Sequence, residues 1–186
     1  MKKTMPFIII IAIAIVVSLA LLFFCSPKEI IEEGNNYRIL ENSQSEYFCE
    51  VIDNSGKIFA KEKVSSLPKF KKMNDNILEM NFGSGNAVYC QYFDVENKLI
   101  SEVFGASSAV GYGKIAYMDF LNNQLVLIVQ NIFDKNVFYK EFHFDFPPIA
   151  VPANAVLNAK FLNENTLQIT YLKGDDYEET TENIKL

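Results

Sequence analysis

The sequence predicts an all-β domain, an antiparallel meander of hairpins, preceded by one N-terminal transmembrane helix. Three observations predict it. Apolar and polar residues alternate with period two from Tyr37 onward, turn-forming clusters interrupt that alternation at short intervals, and one long apolar run opens the chain.

The apolar run comes first. Lys2 and Lys3 precede an uncharged stretch from Phe7 to Cys25 in which Ser18 is the single hydroxyl. At ~1.5 Å per helical residue that stretch reaches roughly 28 Å, close to the ~30 Å hydrocarbon core of a bilayer. The expected organisation is a cytoplasmic stub over 1–6, a membrane anchor over 7–25, a stalk over 26–36 and an extracytoplasmic domain over 37–186. The two lysines stay in the cytoplasm under the positive-inside rule, so the C-terminal domain lies outside. Two alternatives export the same domain. Ser18-Leu19-Ala20 is a small-x-small site where a signal peptide would be cleaved, releasing a secreted protein. Leu22-Phe23-Phe24-Cys25, followed by Ser26, resembles a bacterial lipobox and makes Cys25 the candidate for lipidation, although Phe24 stands where lipoboxes carry a small residue.

The strands follow in order. Tyr47-Cys49-Val51 and Val88-Cys90-Tyr92 each occupy one strand face. Leu78-Met80-Phe82, Phe142-Phe144-Phe146, Ala155-Leu157-Ala159-Phe161 and Leu167-Ile169-Tyr171 alternate with polar residues, as strands with one wet face do. Leu125 to Val129 is apolar throughout and predicts a strand covered on both faces. Asp53-Asn54-Ser55-Gly56, Asn74-Asp75-Asn76, Gly83-Ser84-Gly85-Asn86, Asp94-Val95-Glu96-Asn97, Asn122-Asn123, Asp134-Lys135-Asn136, Asn163-Glu164-Asn165 and Gly174-Asp175-Asp176 supply the turns. Asn, Asp and Gly tolerate the left-handed backbone of tight hairpins. Gly105–Gly113 reads as a surface loop, and Pro147-Pro148 with Pro152 as an extended connector.

A faint repeat runs through this pattern. Phe48-Cys49-Glu50-Val51-Ile52-Asp53 resembles Tyr89-Cys90-Gln91-Tyr92-Phe93-Asp94, and Asp134 and Asp175 continue the series. The spacing from 53 to 94 to 134 to 175 is close to 40 residues, which suits four-stranded propeller blades. The same meander also builds a two-sheet β-sandwich or an open barrel, so propeller-like is one of three arrangements.

Composition narrows the function. Residues after Cys25 hold 15 basic and 23 acidic side chains, a net charge of −8 that argues against nucleic acid as a partner and against adhesion to anionic lipid headgroups. Arg38 is the single arginine among 17 basic residues, a lysine bias that suggests an A+T-rich bacterial genome. Cys49 and Cys90 are either a disulfide, which export permits, or two buried thiols. Two cysteines and one histidine make no zinc quartet, so neither a metal nor a cofactor is expected. His143 is the single histidine, and it lies between Glu141 and Asp145 on a predicted strand face. That polar cluster could act as an acid–base trio, but every second residue of a half-wet strand is polar anyway. The expectation is therefore a non-enzymatic binding or assembly module of a bacterial cell envelope, held at the membrane and facing a protein or cell-wall partner. The alternative is an extracytoplasmic hydrolase or metal-dependent enzyme using His143.

Overall fold

The computed structural model describes residues 28–84, 87–105, 107–149 and 151–186. The expected anchor over 7–25, the cleavage site after it and Cys25 lie outside the described residues. Among the described residues no helix is long and apolar enough to cross a membrane.

Among the described residues sixteen strands form four antiparallel sheets in chain order. The first holds β1 (Glu29–Gly34), β2 (Tyr37–Glu41), β3 (Tyr47–Ile52) and β4 (Ile58–Val64). The second holds β5 (Lys69–Lys72), β6 (Ile77–Ser84), β7 (Ala87–Asp94) and a broken last strand, β8 (Leu99–Ile100) and β9 (Phe104–Gly105), whose two pieces both pair with β7. The third holds β10 (Ser107–Gly111), β11 (Lys114–Leu121), β12 (Gln124–Asn131) and β13 (Tyr139–Phe142). The fourth holds β14 (Val156–Asn163), β15 (Thr166–Lys173) and β16 (Glu178–Lys185).

The aspartate repeat has a structural counterpart. Asp53, Asp134 and Asp175 lie in the turn that leads into the last strand of their own sheet, and Asp94 is the strand residue that opens the equivalent turn. Three of them cap that turn. Asp53 Oδ1 accepts from the backbone N–H of Ser55 and Lys57, Asp94 Oδ1 from Glu96 and Asn97, and Asp134 Oδ1 from Asn136. A short carboxylate folding back on its own backbone stabilises a tight turn. A second bond recurs beside it. Ile52, Val95, Ile132 and Gly174 donate their N–H groups to the carbonyls of Asn36, Asn76, Gly113 and Asp145.

Successive sheets pack face to face around three apolar clusters. Cys49, Val51, Ala60 and Val64 of the first sheet meet Leu78, Met80 and Phe93 of the second. Cys90, Tyr92 and Phe104 on the other face of the second sheet meet Ile115, Tyr117, Val126 and Ile128 of the third. Ala116, Met118, Leu127 and Val129 meet Leu167, Ile169, Tyr171 and Ile184 of the fourth. The two middle sheets are thus covered on both sides, which is why Leu125–Val129 lacks alternation. One ion pair also ties the first two sheets. Lys98 Nζ, in the β7–β8 turn, lies 2.8 Å from the buried Oδ2 of Asp53.

The fourth sheet is inverted relative to the third. Gly111, at the end of β10 where the Asp134 turn lies, packs against Phe161, and Lys114 Nζ donates to Glu164 O at 3.0 Å in the β14–β15 turn. A Cβ on Gly111 would approach Phe161 Cδ2 to 3.2 Å, so a small residue is needed for this close approach. Gly105 belongs to β9 and Ser107–Gly111 form β10, where a surface loop was expected.

Other expectations shift locally. Glu29–Gly34, read as stalk, is the edge strand β1, and a bulge at Ile31 with charged residues on both sides hides its alternation. Leu157 is exposed because a bulge between Val156 and Asn158 turns Val156 inward in its place. β13 stops at Phe142; Phe144 and Phe146 keep the alternation but pair with no strand, as the chain approaches Pro147-Pro148. The acidic turn at Asp175–Asp176 leads into β16, an edge strand that pairs with β15 on one side.

Candidate functional site

A cleft of about 850 Å³ lies between the third and fourth sheets. Three pieces of chain line it. The β11–β12 hairpin contributes Phe120, Asn123, Gln124 and Leu125. The connector after β13 contributes His143, Phe144, Phe146, Pro147, Pro148 and Ile149. The β15–β16 turn contributes Asp175. The inversion of the fourth sheet creates this arrangement, because it carries the Asp175 turn to the same end of the molecule as the β11–β12 hairpin.

The cleft has a firm floor and a polar rim. Phe144 and Phe146 pack edge to face with centroids 5.5 Å apart, and both rest on Tyr171, at 4.9 and 5.4 Å. Tyr171 donates to Glu182 Oε1 at 2.8 Å, and burial together with that carboxylate pushes its phenol up to about 12. The ring therefore stays neutral and fixed beneath the two phenylalanines. Tyr177 donates to Pro148 O at 3.5 Å, holding the proline segment to the fourth sheet. Asn123 sits in the left-handed conformation at φ 64° beside Asn122 at φ 50°, as a two-residue hairpin requires. Phe120, next to that hairpin, leaves 48% of its surface exposed.

Asp175 differs from its three repeat partners. Asp53, Asp94 and Asp134 spend their carboxylates on their own turns, whereas among the described residues no hydrogen bond ties the Asp175 carboxylate to its turn. It lines the cleft instead. Period-40 spacing located this residue but gave no sign of its different role.

The residues singled out from sequence are placed as follows. Glu141 and His143 approach one another, Oε2 to Nε2, at 3.7 Å, and both are partly exposed. Glu141 Oε1 also accepts from Tyr139 Oη at 2.8 Å; burial first, and then this bond, raise the Tyr139 phenol to about 12. Asp145 does not join them. Its Oδ2 lies 3.6 Å from the position a Cβ on Gly174 would occupy, against the fourth sheet. β13 ends at Phe142, so His143 and Asp145 follow the strand rather than lie in it. Among the described residues no three His, Cys, Asp or Glu side chains are grouped to hold a metal.

Cys49 and Cys90 are free, buried thiols in different clusters. Cys90 belongs to the second sheet and faces the third, while Cys49 packs on the opposite side of the second sheet, so that sheet lies between them. Burial pushes the Cys49 thiol up to about 12 and raises Cys90 as well. A thiol raised by burial is held as the unreactive neutral form rather than the nucleophilic thiolate.

Comparison with known proteins found no match, either to a protein-family model or to a curated protein.

Proposed function

We propose that this chain is a binding module of a bacterial cell envelope, held at the membrane by residues 7–25, with the cleft between its third and fourth sheets as the ligand site. The observation that carries the reading is the composition of that cleft. Phenylalanine and proline side chains line it together with Asn123, Gln124, His143 and Asp175. Clefts of this kind take ligands that offer an apolar face to the wall and a few polar or cationic groups to the rim. An extended segment of a protein or cell-wall partner meets that description. The fold reading we propose with it is propeller-like and open. The first three sheets succeed one another as blades do, with equivalent capped turns, and the inverted fourth sheet ends the series.

A hydrolase using His143 is the competing reading, favoured by its place in the cleft lining and its 3.7 Å approach to Glu141. Two variants separate them. The full-length protein is incubated with cell-wall fragments from its own host, and retention and soluble products are both measured. Binding that falls with Phe120→Ala and persists with His143→Ala supports the module. Release of soluble fragments that His143→Ala abolishes supports the enzyme and rejects the module.

A further inference from the structure

We propose that the open edge of β16 is a strand-addition site, taking an extended segment of a partner protein that carries lysine or arginine. The site is separate from the cleft and does not depend on what the cleft binds.

The first argument is the regularity of this edge. Four sheets with two edges each give eight edges among the described residues. Native edges are kept short, broken or bulged, because a long regular edge offers its unpaired backbone groups to other strands. Seven of the eight follow that rule. β5 and β13 are four residues long, and the last strand of the second sheet is split into β8 and β9. β1 is bulged at Ile31, β4 is bulged opposite Ile52 at Phe59, β10 at Ser108, and β14 at Leu157 and Leu162. β16 is the exception. Glu178–Lys185 pair with Thr166–Lys173 without a register shift, and the strand holds neither proline nor glycine.

The second argument is which backbone groups are free. Leu186 donates its N–H to Asn165 O at 3.0 Å, so its backbone points toward β15. Successive residues of an antiparallel strand turn their N–H and C=O to opposite sides. Glu178, Thr180, Glu182 and Ile184 therefore bond to β15, while Glu179, Thr181, Asn183 and Lys185 present theirs at the open edge. A row of alternating donors and acceptors is what an added strand pairs with.

The third argument is charge, which decides the occupant. Glu178, Glu179 and Glu182 are exposed along β16 against one cation, Lys185. The bond from Tyr171 fixes Glu182 in place. A second β16 laid alongside would add carboxylates to carboxylates, so this edge disfavours a second copy of the chain. It favours a strand that brings cations opposite positions 178, 179 and 182. Ile184, which packs in the core between the third and fourth sheets, calls for a β-branched residue opposite it.

Three octapeptides are added singly to the detergent-solubilised full-length protein, and amide exchange is read residue by residue by NMR. The first, Glu-Val-Thr-Lys-Thr-Val-Lys-Lys, is written to lie antiparallel to Glu178–Lys185. The second has glutamate in place of each lysine. The third keeps the lysines but carries N-methyl groups on the alternate amides that would face β16. The proposal expects the first peptide to slow exchange at Glu179, Thr181, Asn183 and Lys185 by about tenfold or more, and the other two to leave it unchanged. Thr181→Pro removes one outward N–H and no bond to β15, at the kind of edge position where proline is tolerated. That variant should melt close to the parent and lose the slowing. No slowing with the first peptide overturns the proposal. Equal slowing with the N-methylated peptide also overturns it, because charge alone then holds the peptide. Perturbation confined to Phe120, His143 and Phe144 rejects the edge and leaves the cleft reading standing.

Discussion

Leu127 and Ile128 are neighbours on β12, yet they belong to different cores. Leu127 is fully buried against the fourth sheet, and Ile128, 2% exposed, is buried against the second. Cutting either back to alanine removes buried methyl and methylene groups and leaves a cavity, at a cost of about 2–5 kcal/mol. In a domain of this size each kcal/mol lowers the melting temperature by about 2–4 °C, so each variant should melt roughly 5–20 °C below the parent. The two losses should also differ in place. Leu127→Ala should speed amide exchange in β15, and Ile128→Ala in β7, because each variant loosens its own interface. Thermal melting and hydrogen exchange on the detergent-solubilised full-length protein read both effects. Serial packing of the sheets would be refuted if either variant cost less than about 0.5 kcal/mol, the range of a surface substitution. A sandwich with one wet face per sheet predicts that outcome for one of the two residues.

Two further expectations concern buried chemistry. The Asp53 carboxyl is held well below the usual carboxylate range, first by Lys98 and then by Ser55 and the Lys57 N–H. A group depressed in the folded state contributes fully above its unfolded pKa of about 3.9 and loses that contribution as pH falls toward the folded value. Asp53→Asn should therefore lower the melting temperature by a constant amount above about pH 5, and the gap to the parent should close in strong acid. A gap that widens on acidification would contradict the ion pair. The buried thiols of Cys49 and Cys90 should resist maleimide at pH 8 until urea unfolds the domain, and intact mass should be the same with and without reductant apart from any change at Cys25. Labelling of either residue in the folded protein would show that it is not buried as described.

Much of the fold was legible because its signals are local. Period-two alternation in Leu167-Ile169-Tyr171 and the unbroken run at Leu125–Val129 report burial residue by residue. The aspartate spacing was legible because three of the four aspartates perform one task, capping the same turn in successive sheets. What escaped depends on contacts between distant segments. Gly105–Gly113 looks like a loop until Phe161 is placed against Gly111. The bulge at Leu157 moves a strand's inward face by one residue, and no local signal marks it. The cleft was hidden for the same reason. Phe120, Phe144 and Asp175 come from three segments that meet through the inversion of the fourth sheet, and a strand pattern cannot express an inversion. His143 was visible as the single histidine, but β13 ends at Phe142 and leaves it beyond the strand.

The central claim is that the cleft beside Phe120 engages a partner. The most direct test places a photoreactive amino acid at position 120 of the full-length protein in its own membranes, with position 137 as the control. The account predicts a discrete adduct from position 120 that weakens when Asp175 is replaced by Asn, and none from position 137. Identical adducts from both positions, or no adduct from position 120, would contradict it.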